Sequence, residues 1–416
     1  MSRRLYYDQP NLLEFDSVVE DVSAPSGSDA RPSFTLRESA FYPTSGGQVH
    51  DKGWISIGDR RVRVAEIAET EDGRVVHYLE APSEAPARGA RVHGSIDPDR
   101  RRDHMQQHTG QHVLSAAFIE LYEFPTVSFH MGDDYCSIDL ATPSLTAAQA
   151  VGAEKRANEI VFENRPVTIR YVRREEAEKL GLRKLPPAER EELRLIEVAN
   201  FDLSACGGTH VNATGQIGAI LLRKIEKTRQ GMRVEFVCGG RAVTTARRDF
   251  ETLADAASLF SAKLTDVPEM IRKTFEESKE ARRQKEEALE QLAGAMAQAE
   301  LVGSSGDRVI GSSESGRKIV LRVFADRDSA FAKLFAQKLV RAGLGVVALV
   351  ASTVSPPGIV FAQTAGGSAD MGALLKEALA AIGGRGGGSH DFAQGGVPAG
   401  CDVEKLLRDV ERKLAG

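Results

Sequence analysis

The 416 residues predict a multidomain α+β protein, on three observations. Up to about residue 97, apolar and polar residues alternate in short runs broken by Gly, Pro and Asp, the pattern of half-buried strands. From 98 to 240, alternating runs are interleaved with segments of helical apolar spacing, as when helices pack on an antiparallel sheet. After a stretch rich in Ala, Glu, Lys, Arg and Leu (241–303), residues 304–416 read strand, helix, strand. The predicted boundaries are therefore 1–97, 98–240, 241–303 and 304–416.

Composition agrees. With 42% hydrophobic and 27% charged residues, the chain suits a soluble protein of several cores. The opening Met-Ser-Arg-Arg-Leu-Tyr-Tyr lacks the apolar stretch of a secretory signal, and the apolar run 346–350 is too short to span a bilayer. Four cysteines in a chain of this length exclude a disulfide scaffold. A reducing cytoplasm is the expected location.

The first region is predicted to form a small β-barrel, with strands at 54–57, 61–64 and 92–96 and a surface loop at 82–89. In the second, 104–121 is a predicted helix and 127–140 alternates as strands. An amphipathic helix follows at 146–163, then short helices at 175–180 and 187–193. Residues 195–201 should form a strand leading into a turn at Cys206, and 217–225 and 232–238 an antiparallel pair. Region 241–303 reads as two helices broken near Pro268. The second, charged on most faces, would reach ~50 Å at ~1.5 Å per residue. It suits either a passive strut or a coiled coil joining two copies of the chain. In the last region, strands are expected at 318–323, 345–350 and 358–361, and helices at 330–342, 371–382 and 403–414. The glycine-rich run 383–388 reads as a flexible turn.

Two residue pairs carry the chemistry. His108-Thr-Gly-Gln-His112 places two imidazoles four apart, on one helical face. Cys206-Gly-Gly-Thr-His210 repeats that spacing in a glycine-rich turn, where Gly-Gly lets the backbone wrap both side chains around one point. Nitrogen and sulfur donors in this ratio suit zinc better than magnesium or calcium. If all four ligate, the coordination sphere is closed, as in structural sites; if three do, a water or substrate group completes it. The spacing resembles a metallopeptidase helix, but the general-base Glu of His-Glu-x-x-His is replaced by Thr109. Neither Thr109 nor Gln111 can carry a proton as a carboxylate does. A labile ester is therefore a better substrate than an amide.

These segments closely resemble the editing domain of alanyl-tRNA synthetase and its free-standing relatives, the AlaX trans-editing proteins. The resemblance runs through His108 to Phe118 and Cys206 to Gly218. Upstream, Phe41-Tyr-Pro-Thr-Ser-Gly-Gly-Gln48 followed by Asp51-Lys-Gly53 is similar to the glycine motif of the family's N-terminal barrel. The resemblance implies a zinc site on His108, His112, Cys206 and His210, and hydrolysis of tRNA(Ala) mischarged with serine and sometimes glycine. A pocket for alanine cannot strongly reject an analogue that adds only a hydroxyl, so a second, hydrolytic site supplies the discrimination. Thr109, Gly46, Gly47 and Gln48 become candidate substrate contacts. So does His130, which stands near where synthetase editing domains often carry a glutamine.

Residues 304–416 resemble the DHHA1 domain of synthetase C-termini and longer AlaX proteins, which is associated with tRNA binding. The Asp-His-His motif of phosphoesterases sharing that domain is absent. The net charge of −5 does not oppose an RNA partner, because charge is segregated. Arg100, Arg101 and Arg102 precede the first ligand pair. Arg223, Lys224, Lys227, Arg229 and Arg233 follow the second. These are candidate phosphate contacts along an acceptor stem; otherwise they are solvated faces. A synthetase would need a class II ATP-binding domain ahead of the barrel, and the chain starts almost at the barrel. The remaining alternative is a non-catalytic tRNA-binding module with structural zinc.

Overall fold

The computed structural model describes residues 2–23, 31–80, 83–180, 182, 191–303 and 318–415. It divides into two compact units, Met1–Ala256 and Ala257–Gly416.

In the first unit, six strands close a small barrel. Their order is Glu14–Ser23, Ser33–Leu36, Val75–Leu79, Arg60–Glu69, Gly53–Ile57 and Arg91–Ile96, and the last pairs back onto the first. Alternation fills the interior: Ile55, Val64, Ile67 and Leu79 are fully buried, while Trp54 between two inward positions is exposed. His77 sits in this core, stacked on Phe34 at 5.3 Å. Its Nδ1–H donates to the Phe34 carbonyl (3.3 Å), and Nε2 accepts from Ser39 Oγ (2.8 Å). Burial pushes its pKa down to about 4. Unfolded, the ring returns to about 6.5, so the unfolded chain takes up the proton first. The His77 penalty is absent above about pH 6.5 and grows as pH falls to about 4, reaching ~3 kcal/mol. Thermal melts across that range should show a smaller acid loss for His77→Gln than for the wild type.

The helix Pro98–Tyr122 starts six residues before the expected position 104. Asp97 caps it, accepting from Asp99 N and Arg100 N (both 3.1 Å), with Pro98 in the first turn. Val113, Leu114, Ala117 and Phe118 bury one face against the four-stranded antiparallel sheet Ile220–Thr228, Gly231–Cys238, Cys136–Leu140 and Thr126–Met131. The helix Ala147–Phe162 joins that core through Ala153, Ala157 and Ile160, and its N-terminus carries a Thr146–Gln149 capping box.

A second sheet holds Val167–Arg173, Glu192–Val198 and Asp202–Ala205. Here the expected strand 195–201 is corrected. Strand Glu192–Val198 ends early, the chain reverses through Asn200 at φ 56°, and Asp202–Ala205 returns antiparallel with Leu195 opposite Ala205. Asn tolerates the left-handed conformation that this turn needs. Of the expected helices, 175–180 shortens to Arg174–Ala177. Most of 187–193 lies outside the described residues, and its last two residues belong to the strand Glu192–Val198.

In the second unit, a five-stranded sheet has the order Lys318–Phe324, Val346–Ser352, Gly358–Gln363, Phe392–Gly396 and Arg385–Gly388. Its first pair is parallel and the others antiparallel. Every residue of Val346–Ser352 and Gly358–Gln363 is buried, as expected of strands covered on both faces. Helices Met371–Ala380 and Val403–Ala415 pack on one core, and Ser329–Ala342 on the other. Only the start of the glycine-rich run, at Gly383, lies in a turn. Arg385–Gly388 is an edge strand, and a Cβ on Gly386 would lie 2.5 Å from Gly395 Cα, so glycine permits the close pairing.

The helix Val267–Val302 is ~54 Å long at ~1.5 Å per residue. It is more than a strut: Ala293 and Ala297 near its end are buried in the core beneath Phe331 and Phe335. Among the described residues, no helix is long and apolar enough to cross a membrane.

Candidate metal centre

His108 and His112 lie on one face of the helix Pro98–Tyr122, their ring centroids 5.3 Å apart. His210 lies 4.5 Å from His108 and 4.7 Å from His112 by ring centroid. The Cys206 sulfur completes the group, 3.4 Å from Nε2 of both His108 and His210. All four ligand atoms lie within 4.8 Å of one another. Each histidine is at most 4% exposed, whereas Cys206 and Gly207 are partly exposed, so the cluster opens on the side of that loop.

The loop fits by virtue of its glycines. A Cβ on Gly208 would stand 2.1 Å from His108 Cε1. The chain therefore passes directly over the ring, which only glycine allows.

Every imidazole is anchored through its second nitrogen. His108 Nδ1–H donates to Gln48 Oε1 (2.8 Å), His112 Nδ1–H to Asp202 Oδ2 (3.3 Å) and His210 Nδ1–H to Thr109 Oγ1 (3.1 Å). The acceptor character of the three partners fixes the tautomer, since Thr109 spends its own proton on the Met105 carbonyl (2.8 Å). The Nε2 atoms are thereby left for the centre, the arrangement that orients metal-binding histidines.

Charge follows geometry. Burial would raise the Cys206 thiol, but the imidazoles of His108 and His210 outweigh it and hold the thiol well below its usual range. Burial first, and His108 second, push His210 down to about 3. Burial would also lower His112, yet Asp202 and Cys206 raise it above the ordinary value. A thiolate beside the neutral His210 suits a ligand set, and the proton that Asp202 and Cys206 favour on His112 would leave when a metal binds. A tetrahedral zinc ion with N and S bonds of ~2.0–2.1 and ~2.3 Å needs N···S edges of ~3.6 Å. The 3.4 Å separations fit it, and no carboxylate oxygen belongs to the group. Asp202→Ala, which removes the partner of His112, should weaken metal affinity by ~10–100-fold, measured by chelator competition.

The other expected site residues divide. Gly46 (φ 58°) and Gly47 (φ 85°) form a tight turn closed by reciprocal Ser45–Gln48 backbone bonds of 3.0 Å. That turn delivers Gln48, whose Nε2 donates to Thr209 Oγ1 (2.8 Å) and whose Oε1 also accepts Thr209 N (3.1 Å). Thr109 Oγ1 also accepts Val211 N (3.2 Å), so Thr109 and Gln48 both spend their polar atoms on the frame behind the ligands. His130 does not join the cluster. Its neighbour Phe129 stacks on His108 at 5.5 Å, and strand alternation turns His130 outward, where it is exposed.

Arg101 is a correction. It is 1% exposed and bonded to Asp51, the Pro10 carbonyl and the Ala40 carbonyl, so it cannot reach a phosphate. Arg100 is half-buried, its Nε donating to the His50 carbonyl (2.9 Å); Arg102 is exposed. Arg223 pairs with Asp249, Lys224 with Glu226 and Arg233 with Asp139. Lys227 and Arg229 are exposed on the same hairpin, with no ion pair found among the described residues.

Asp202, Phe129 and the bonds of Gln48 to His108 and Thr209 escaped the sequence reading. Asp202 stands four residues before Cys206, extending the four-residue spacing one step upstream, and that is the one signal present.

Two family models match the chain: "Threonyl and Alanyl tRNA synthetase second additional domain" over residues 193–234, and "tRNA synthetases class II (A)" over 16–100. The alanyl-tRNA editing protein AlaX-L of Pyrococcus horikoshii is 30% identical over 96% of this chain and 95% of its own length. An alanine–tRNA ligase of Natronomonas pharaonis is 33% identical over 97% of this chain, which spans 42% of that ligase. A solved structure, the C-Ala domain of Aquifex aeolicus alanyl-tRNA synthetase, aligns with 26% of this chain and all of its own. Its identity is 18% and its TM-score 0.24, too low to establish a common fold.

Proposed function

Because the chain belongs to the alanyl-tRNA editing family, we propose that it acts in trans to hydrolyse the ester of mischarged tRNA(Ala), with serine the chief target and glycine a second. The observation that carries this reading is the convergence of Cys206, His108, His112 and His210 on one point with three anchored imidazoles. The residues would hold zinc, which supplies a Lewis acid when bound.

The protein's own groups set the reaction class. Asp202, the carboxylate beside the cluster, is spent on His112 and Ser204, so it does not serve as a base for amide cleavage. An aminoacyl ester, with its better leaving group, needs no such base. Cys206 and Gly207 are the partly exposed edge of the cluster, where a substrate would approach, while Phe129 stacks on His108 and the imidazoles are buried. Residues 257–416 would add tRNA affinity. A cut for testing that belongs within 261–266, since one at 303 would strip Ala293 and Ala297 of their packing.

One observation favours a second reading: four converging protein ligands can close the sphere of a structural site. The assay separates the two. tRNA(Ala) charged with serine, glycine or alanine is incubated with the protein, with and without chelator. Rapid loss of the serine ester, sparing of the alanine ester and arrest by chelator are expected. Binding without ester loss would leave the non-catalytic module.

A further inference from the structure

Tyr7 belongs to no motif, yet the fold brings it to the mouth of the cluster. Arg194, 8% exposed, ties it there. Its Nε donates to the Tyr7 carbonyl (3.0 Å), its Nη1 to the Cys206 carbonyl (2.6 Å), and its own carbonyl accepts Cys206 N (3.2 Å). One buried guanidinium thus joins the backbone of Tyr7 to that of the ligand loop. The phenol comes to rest over Gly207, where an added Cβ would lie 3.4 Å from Oη.

The ring is held from several sides. Arg4 and Arg194 each approach its centroid to 5.3 Å, and Tyr6 meets it edge-on at 5.1 Å. Arg4 Nη1 donates to Tyr7 Oη (2.7 Å), while Arg4 is itself held by Glu69 and the Gly73 carbonyl. That bond occupies a lone pair of the phenol and polarises its O–H. The phenolic proton has no acceptor among the described residues. Tyr7, Cys206 and Gly207 are all partly exposed, whereas the three imidazoles and Gly208 are buried. A preset hydrogen-bond donor therefore stands at the open side of the cluster.

We propose that Tyr7 contacts the substrate, its O–H donating to the carbonyl oxygen of the aminoacyl ester as charge develops there. The proposal rests on the deacylase reading above. Tyr7→Phe removes the hydroxyl and keeps the ring with its two guanidinium neighbours. It should lower kcat/KM on Ser-tRNA(Ala) by ~10–100-fold, somewhat less than loss of a fully enclosed oxyanion donor. It should also weaken binding of a stable amide-linked analogue, 3′-serylamino-3′-deoxyadenosine, with metal content and melting temperature unchanged. Wild-type protein that fails to accelerate ester loss overturns the deacylase reading. A Tyr7→Phe variant that turns over Ser-tRNA(Ala) and binds the analogue as the wild type does overturns the role of Tyr7.

Discussion

Under the proposed function, Cys206→Ala protein is expected to lose both metal binding and Ser-tRNA(Ala) deacylation. Sites of this kind supply ~10–16 kcal/mol on binding; losing about a quarter of that with one of four ligands costs ~3–4 kcal/mol, or ~10²–10³-fold in affinity. The sulfur is also the one anionic ligand, near Nε2 of two imidazoles and accepting from Gly208 N at 3.4 Å. Without it the remaining imidazoles have no charge to offset a divalent ion. Metal analysis of purified protein, read beside the Ser-tRNA(Ala) assay, checks both losses at once. Full activity in a metal-free variant would overturn the zinc assignment.

Arg101→Ala should produce the largest loss of stability. The guanidinium and the Asp51 carboxylate are 1% and 0% exposed, and Arg101 reaches the Pro10 and Ala40 carbonyls at 2.6 Å each. Asp51 also accepts Tyr42 N at 2.7 Å. Removing the cation strands a buried carboxylate, which costs ~3–5 kcal/mol. Denaturant unfolding should register that loss, while Arg102→Ala, at an exposed position, should leave stability within ~0.5 kcal/mol. Were Arg101 a phosphate contact, its removal would instead flatten the salt dependence of tRNA binding by ~1 unit of slope.

Arg101 also illustrates where sequence reading reached its limit. Three consecutive arginines look like one basic patch, but on a helix successive side chains are ~100° apart. One of the three must turn inward when the helix packs, and Asp51 lies some fifty positions upstream to receive it. The two pairs that converge were legible because both obey a local spacing. The barrel was legible because its strands alternate cleanly. Asp202 was not, because its place depends on a reversal at Asn200, inside what reads as one continuous strand. Phe129 and His130 are adjacent in the sequence, and only the register of Thr126–Met131 decides which faces His108. The run 383–388 misled for a different reason: glycine serves close backbone packing as readily as it serves flexibility.

Gln48 comes from the barrel, yet its carboxamide spans His108 on the long helix and both Thr209 N and Thr209 Oγ1 in the loop. Three parts of the first unit meet at that single amide. Slackening the barrel's turn would free the His108 ring to rotate, so the residence time of a bound ion reports on the integrity of a domain that donates no ligand to it.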